Sequence, residues 1–193
     1  KCGILPPHQV VADYLGEELC SLASDPDAVY TDRYEVDLDA LEPVLACPHA
    51  VQNVKNVTEV EGVKVQQAFL GSCTNGRIED FLQAAEILRG RKIHPNVRMI
   101  VVPGSQTIYL EMARMGLLEL FTECGAAVLS PGCASCGGFG PGTIGNNEVC
   151  ISTTNRNWQG RMGPKSSSVY PGSAYSVAAA AVAGEIVSPL RYL

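Results

Sequence analysis

Three cysteines stand where thiolate chemistry explains their positions better than packing does. Cys133 and Cys136 form a Cys-x-x-Cys pair, a spacing shared by redox dithiols, zinc half-sites and iron–sulfur half-sites. The redox version expects the pair at a helix N-terminus after the first strand of a thioredoxin-like unit. Here the pair runs into Gly137-Gly138-Phe139-Gly140-Pro141-Gly142, which cannot start a stable helix. A four-cysteine zinc site would need a second Cys-x-x-Cys or a nearby Cys/His pair, and neither is present. Cys73, within Gly71-Ser72-Cys73-Thr74-Asn75-Gly76, is the third thiol. Three thiolates leave one coordination position open on a metal, the mark of a catalytic site. The plain alternative is buried free cysteine, but glycine lies beside all three and none sits in an apolar run. For Cys2, Cys20, Cys47, Cys124 and Cys150 the apolar surroundings make packing the sufficient account.

Two neighbouring features bear on the same chemistry. The run from Gly132 to Gly145 holds six glycines, which reads either as a surface loop or as backbone brought close to a bulky cofactor, where a side chain would collide. Asn155-Arg156-Asn157-Trp158-Gln159-Gly160-Arg161 places two arginines at a strand exit. Arginine forks grip carboxylates bidentately, and the alternative is a pair of surface cations. His49 follows Pro48 in isolation and reads as a structural or solvated loop histidine. His8 and His94 carry no signal.

These residues need a frame, and the chain supplies one. Val63–Leu70, Val97–Val102, Ala126–Leu129 and Glu148–Ser152 read as strands. Helices are expected over Ile78–Arg89, with Ile78, Phe81, Leu82, Ala85 and Leu88 on one side, then over Gln106–Met115, Leu117–Glu123 and Ala174–Gly184. Strand, small-residue turn and helix in repetition predict an α/β fold with a parallel or mixed sheet and flanking helices. Four turns then meet at the carboxyl edge, where such sheets bind ligands: Ser72-Cys73, Pro103-Gly104-Ser105, Pro131-Gly132-Cys133 and Thr154-Asn155-Arg156. Upstream, Pro6–Cys20 reads as a helix. Ser21–Asp39 is polar and acidic, with a turn at Asp25-Pro26-Asp27. A boundary is expected near Asp32, dividing residues 1–32 from 33–193.

Composition narrows the functional classes. The 193 residues are 46% apolar and 18% charged, with a formal charge of −6, a globular balance. No basic block supports nucleic-acid binding. The longest apolar stretch, Val177–Gly184, is too short to span a bilayer. Eight cysteines in a chain long enough to bury a core point to a reducing, cytoplasmic setting rather than a disulfide scaffold. The chain opens at Lys1 without a signal-peptide pattern, and Lys1-Cys2-Gly3-Ile4 reads as the interior of a longer protein.

Taken in order and spacing, the motifs resemble the aconitase family. They are Phe69-Leu70-Gly71-Ser72-Cys73-Thr74-Asn75-Gly76-Arg77, Pro131-Gly132-Cys133-x-x-Cys136-Gly137-Gly138, and Ser152-Thr153-Thr154-Asn155-Arg156-Asn157 with Gly160-Arg161-Met162-Gly163. The resemblance covers essentially the whole chain. It implies the tail of a preceding domain followed by the family's iron–sulfur domain. It also implies a [4Fe–4S] cluster held by Cys73, Cys133 and Cys136, and a hydro-lyase reaction that moves a hydroxyl between neighbouring carbons. On this reading Arg156 and Arg161 bind substrate carboxylates as catalytic-site residues. Asn155 approaches the cluster, and the Ser72 backbone faces a cluster sulfur. The expectation is a protein without the family's swivelling fourth domain, which makes the resemblance strongest to the branch with separate large and small subunits. Its expected substrate is isopropylmalate, with a homoaconitase or aconitase-type hydratase second. The implied partners are the upstream part of a large subunit, a small swivelling subunit and a small hydroxy acid. No nucleic acid or membrane partner is expected. An iron-sensing RNA-binding relative and an electron carrier are the competing classes; the acidic balance opposes the first and the missing fourth ligand the second.

Overall fold

The computed structural model describes Asp13 and residues 24–193. The helix expected over Pro6–Cys20 lies outside the described residues except at Asp13, which is helical. The chain divides into two compact units, residues 1–41 and 42–193. In the first, residues 24–41 are exposed, and the expected turn is closed by the Ala28 N–H donating to the Asp25 carbonyl at 3.0 Å. The division falls after Leu41, and among the described residues Leu45 is the first buried apolar side chain.

The second unit opens with an antiparallel pair, β1 (Val44–Ala46) and β2 (Val54–Asn56). A five-stranded sheet follows: β3 (Gln67–Gly71), β4 (Arg98–Val102), β5 (Ala127–Val128), β6 (Val149–Ser152) and β7 (Ser168–Pro171). Its order is β5-β4-β3-β6-β7 and every pairing is parallel. The helices are α1 (Ile78–Leu88), α2 (Gln106–Arg114), α3 (Leu117–Cys124) and α4 (Ala174–Ala183).

Side-chain alternation along the strands builds two cores. Ala68, Leu70, Met99, Val101 and Ile151 enter the larger one with residues of all four helices. Phe69, Val102, Cys150 and Val169 point the other way, onto Ile144 and Met162. The helices therefore cover one face, and the other is covered by the segments that follow β5 and β6. Local sequence starts and stops the helices. Ser105 and Ser173 cap α2 and α4, each hydroxyl accepting from the backbone N–H three residues on. Asp80 reaches back to the Arg77 N–H at 3.0 Å to start α1, and Gly184 ends α4 in the left-handed conformation.

Two local expectations are corrected and one strand was not expected. The strand expected from Val63 begins at Gln67, and Lys64 instead forms an isolated bridge with Glu185. Leu82 is exposed on α1, while Ala84 and Ile87 are buried; α3 and α4 both pack on this helix, which rotates the buried face away from Leu82. Strand β7, Ser-Val-Tyr-Pro, carries no clear strand signal and forms because β6 offers it a parallel edge.

Candidate functional site

From β3 the chain moves outward through β4 to β5, then returns to the far side of β3 as β6. The carboxyl ends of β3 and β6 flank this reversal, the place where α/β sheets bind ligands. The four turns expected there are stitched together. The Ser72 N–H donates to the Val102 carbonyl at 2.7 Å, Gly104 to Gly76 at 3.0 Å, Gly132 to Pro103 at 3.3 Å and Thr153 to Phe69 at 3.0 Å. The buried Thr153 hydroxyl accepts from the Gly71 N–H at 2.7 Å and donates to the Gly71 carbonyl at 3.2 Å. Gly71 has φ +107, and a Cβ there would lie 2.1 Å from the Val102 carbonyl oxygen, so only glycine lets β3 turn this tightly against β4.

The thiols lie on these turns. Cys73 and Cys133 are exposed, Cys136 is buried, and all three are free. Cys136 sits in a 3₁₀ turn, Ala134–Gly137. Two non-glycine residues beside the thiols have positive φ, Ser72 at 77° and Ala134 at 45°, the kind of backbone strain that collects at functional sites. The thiol loop is tied to the sheet by Gln67, whose side-chain amide donates to the Gly142 carbonyl at 2.6 Å. The expectation for the Gly132–Gly145 run gains a local reason. Gly138, Gly140 and Gly142 all have φ between +87 and +89, so the path of the loop itself demands glycine.

The chemistry of the donor set fits an iron–sulfur cluster. The Cys133 thiol is raised above its ordinary pKa, first by its hydrogen bond with the Cys73 thiol, then by the charges of Cys73 and Cys136; Arg161 pulls the other way. Soft thiolates suit iron–sulfur centres among other partners. Among the described residues no three His, Cys, Asp or Glu converge on a single point that could hold one metal ion. The remaining described cysteines do other work. The Cys124 thiol donates to the Leu88 carbonyl at 3.3 Å. Burial pushes Cys150 up to about 12, a thiol inert at neutral pH. Cys47 is buried beside β1. Cys2 and Cys20 lie outside the described residues.

The other site residues gather around β6. The Arg161 guanidinium lies 3.8 Å from the Cys136 sulfur, and its buried Nε has no partner. Arg156 donates to the Asn155 carbonyl at 3.2 Å. Asn155 itself is exposed. The Ser72 N–H, on the backbone expected to approach a cluster sulfur, donates to the Val102 carbonyl at 2.7 Å. His49 is exposed on a turn held by the buried Asn157, whose amide donates to the carbonyls of Ala46 (3.2 Å), Cys47 (2.8 Å) and Ala50 (3.3 Å). His94 packs under Gly184, away from the thiols. Sequence reasoning missed Gln67, Thr153, Asn157 and Trp158. Of these, only the Ser-Thr-Thr-Asn run after β6 offered a signal, as polar residues where an apolar strand should leave the sheet.

Residues 50–184 match the aconitase family (aconitate hydratase) model. The chain belongs to the aconitase family. It is 47% identical to "3-isopropylmalate dehydratase large subunit 2" of Rubrobacter xylanophilus, over 98% of this chain and 46% of that protein. It is 41% identical to "3-isopropylmalate dehydratase large subunit 1" of Thermotoga maritima, over 100% of this chain and 48% of that protein. It is also 43% identical to "Probable methanogen homoaconitase large subunit" of Methanosarcina mazei, over 99% of this chain and 49% of that protein. The chain thus spans about half the length of the curated aconitase-family relatives it matches.

Proposed function

We propose that this chain is the cluster-bearing part of the large subunit of an iron–sulfur hydro-lyase, 3-isopropylmalate dehydratase in type. Such an enzyme isomerises a hydroxy acid by dehydration and rehydration, here in leucine biosynthesis in the cytoplasm. The observation that carries the reading is the gathering of Cys73, Cys133 and Cys136 on stitched turns at the sheet's switch point, with Arg161 against Cys136. The names of the relatives supply the reaction class. Cys73, Cys133 and Cys136 would hold a [4Fe–4S] cluster. When bound, that cluster supplies a Lewis acid toward the hydroxyl that leaves.

The chain's own residues do the rest of what this half of a site can do. Arg156 and Arg161 present forks to the substrate carboxylates and orient them. Arg161, 3.8 Å from the Cys136 sulfur, also offsets thiolate charge. The glycine loop and the buried Thr153 hold the turns still, so the donors need no reorganisation as substrate arrives. None of the described histidines neighbours the thiols, and the base that takes a carbon-bound proton is assigned to the partners: the upstream large-subunit segment and a small swivelling subunit. A homoaconitase-type activity is the second reading, favoured by the Methanosarcina mazei relative.

The test is an assay of the cluster-reconstituted chain with isopropylmalate, alone and together with both partners. Turnover is expected only in the full assembly, and with isopropylmalate preferred over homocitrate. Turnover by the isolated chain would refute the divided site, and a preference for homocitrate would select the second reading.

A further inference from the structure

Both arginines of the site lie over one aromatic ring. The guanidinium carbon of Arg156 is 5.3 Å from the centroid of the Trp158 ring, and that of Arg161 is 5.9 Å. Both distances fall within the range where a ring's quadrupole attracts a cation. Trp158 is 54% exposed, so its burial in the core does not account for its place. Like charges brought together repel, and each arginine side chain carries large rotamer freedom. Something must offset both costs if two forks are to be ready side by side.

We propose that Trp158 is a positioning residue, a shared cation–π platform that holds Arg156 and Arg161 together as one grip for a ligand carrying more than one carboxylate. The inference rests on the reading of the two arginines as carboxylate binders. The two are held differently at their other ends. Arg161 is anchored inward, against Cys136 at 3.8 Å, whereas Arg156 is tied to its own chain through the Asn155 carbonyl. The ring is the element they share. Its flat face accepts two cations without competing for the N–H donors that a carboxylate needs, which a carboxylate side chain in its place would do.

Each exposed cation–π contact is worth a factor of about two to five in an equilibrium. In the assembled enzyme, Trp158→Leu should therefore raise KM for the dicarboxylate substrate about five- to twentyfold. Uniform binding is what is lost, so kcat should stay within about twofold. Trp158→Phe should recover most of the loss, because it restores an aromatic face. Equal KM in the wild type and Trp158→Leu would overturn the proposal. So would equal losses in the Leu and Phe variants, which would mark a packing role. Trp158 is the only tryptophan of the 193 residues, so the unaltered ring can also be read directly in this chain. Arg156→Gln and Arg161→Gln should each shift its fluorescence emission, and no shift in either would overturn the platform without any tryptophan substitution. The underlying reading fails separately: if Arg156→Lys and Arg161→Lys leave KM unchanged while both fluorescence shifts are present, the arginines do not bind carboxylates and the grip falls with them.

Discussion

A planar guanidinium fork at position 156 differs from an ammonium in geometry more than in charge. Arg156→Lys keeps the cation and loses the second hydrogen bond to a carboxylate, a difference of about 1.5–3 kcal/mol for a charge-assisted bond. The assembled enzyme carrying this change should keep its full iron and sulfide content and lose about ten- to hundredfold in kcat/KM; steady-state kinetics beside a metal assay checks both halves. Near-normal kcat/KM would remove Arg156 from substrate binding. At this scale the sequence was most readable where residue type dictates chemistry. Cys73, Cys133, Cys136, Arg156 and Arg161 stand out because few other roles suit thiols and forks in glycine-rich turns. Gln67, Thr153 and Asn157 did not stand out. Their partners are backbone carbonyls and amides distant in the chain, and nothing in a polar side chain's type announces which backbone group it will meet.

Among the elements, the β1 turn and the exit of β6 are joined through one side chain. Asn157 is fully buried, and its amide nitrogen faces three carbonyls. Asn157→Ala leaves those acceptors unpaired and should cost about 2–3 kcal/mol of stability in urea unfolding, the penalty for buried groups without partners. Asn157→Asp should be at least as damaging, because a carboxylate has only acceptors to set against acceptors. Unchanged midpoints in both variants would show that the clamp carries no stability. Helices α1 to α4 and strands β3, β4 and β6 were legible, α1 from its one-sided apolar spacing, α4 from its run of small residues and the strands from short apolar runs between small-residue turns. Strand β7 was not, since four residues ending in proline carry too little pattern, and its pairing depends on β6 arriving beside it. The buried side of α1 was misjudged at Leu82 because which face is covered depends on α3 and α4, not on α1's own sequence.

At the scale of the molecule, the parallel sheet turns four loops toward one edge and packs α1–α4 on one face. Cys73, Cys133 and Asn155 are exposed at that edge and Cys136 is buried beneath it. The proposed function has this chain by itself hold an iron–sulfur cluster on Cys73, Cys133 and Cys136. Its most direct measurement is anaerobic reconstitution of the 193-residue chain with iron and sulfide, followed by iron and acid-labile sulfide analysis with the visible absorption of the bound chromophore. The account predicts about four iron and four sulfide per chain, loss of that stable content in Cys136→Ser, and an unchanged far-UV circular dichroism spectrum for the variant. A chain that takes up no iron, or a Cys136→Ser variant that holds as much iron and sulfide as the wild type, would contradict it.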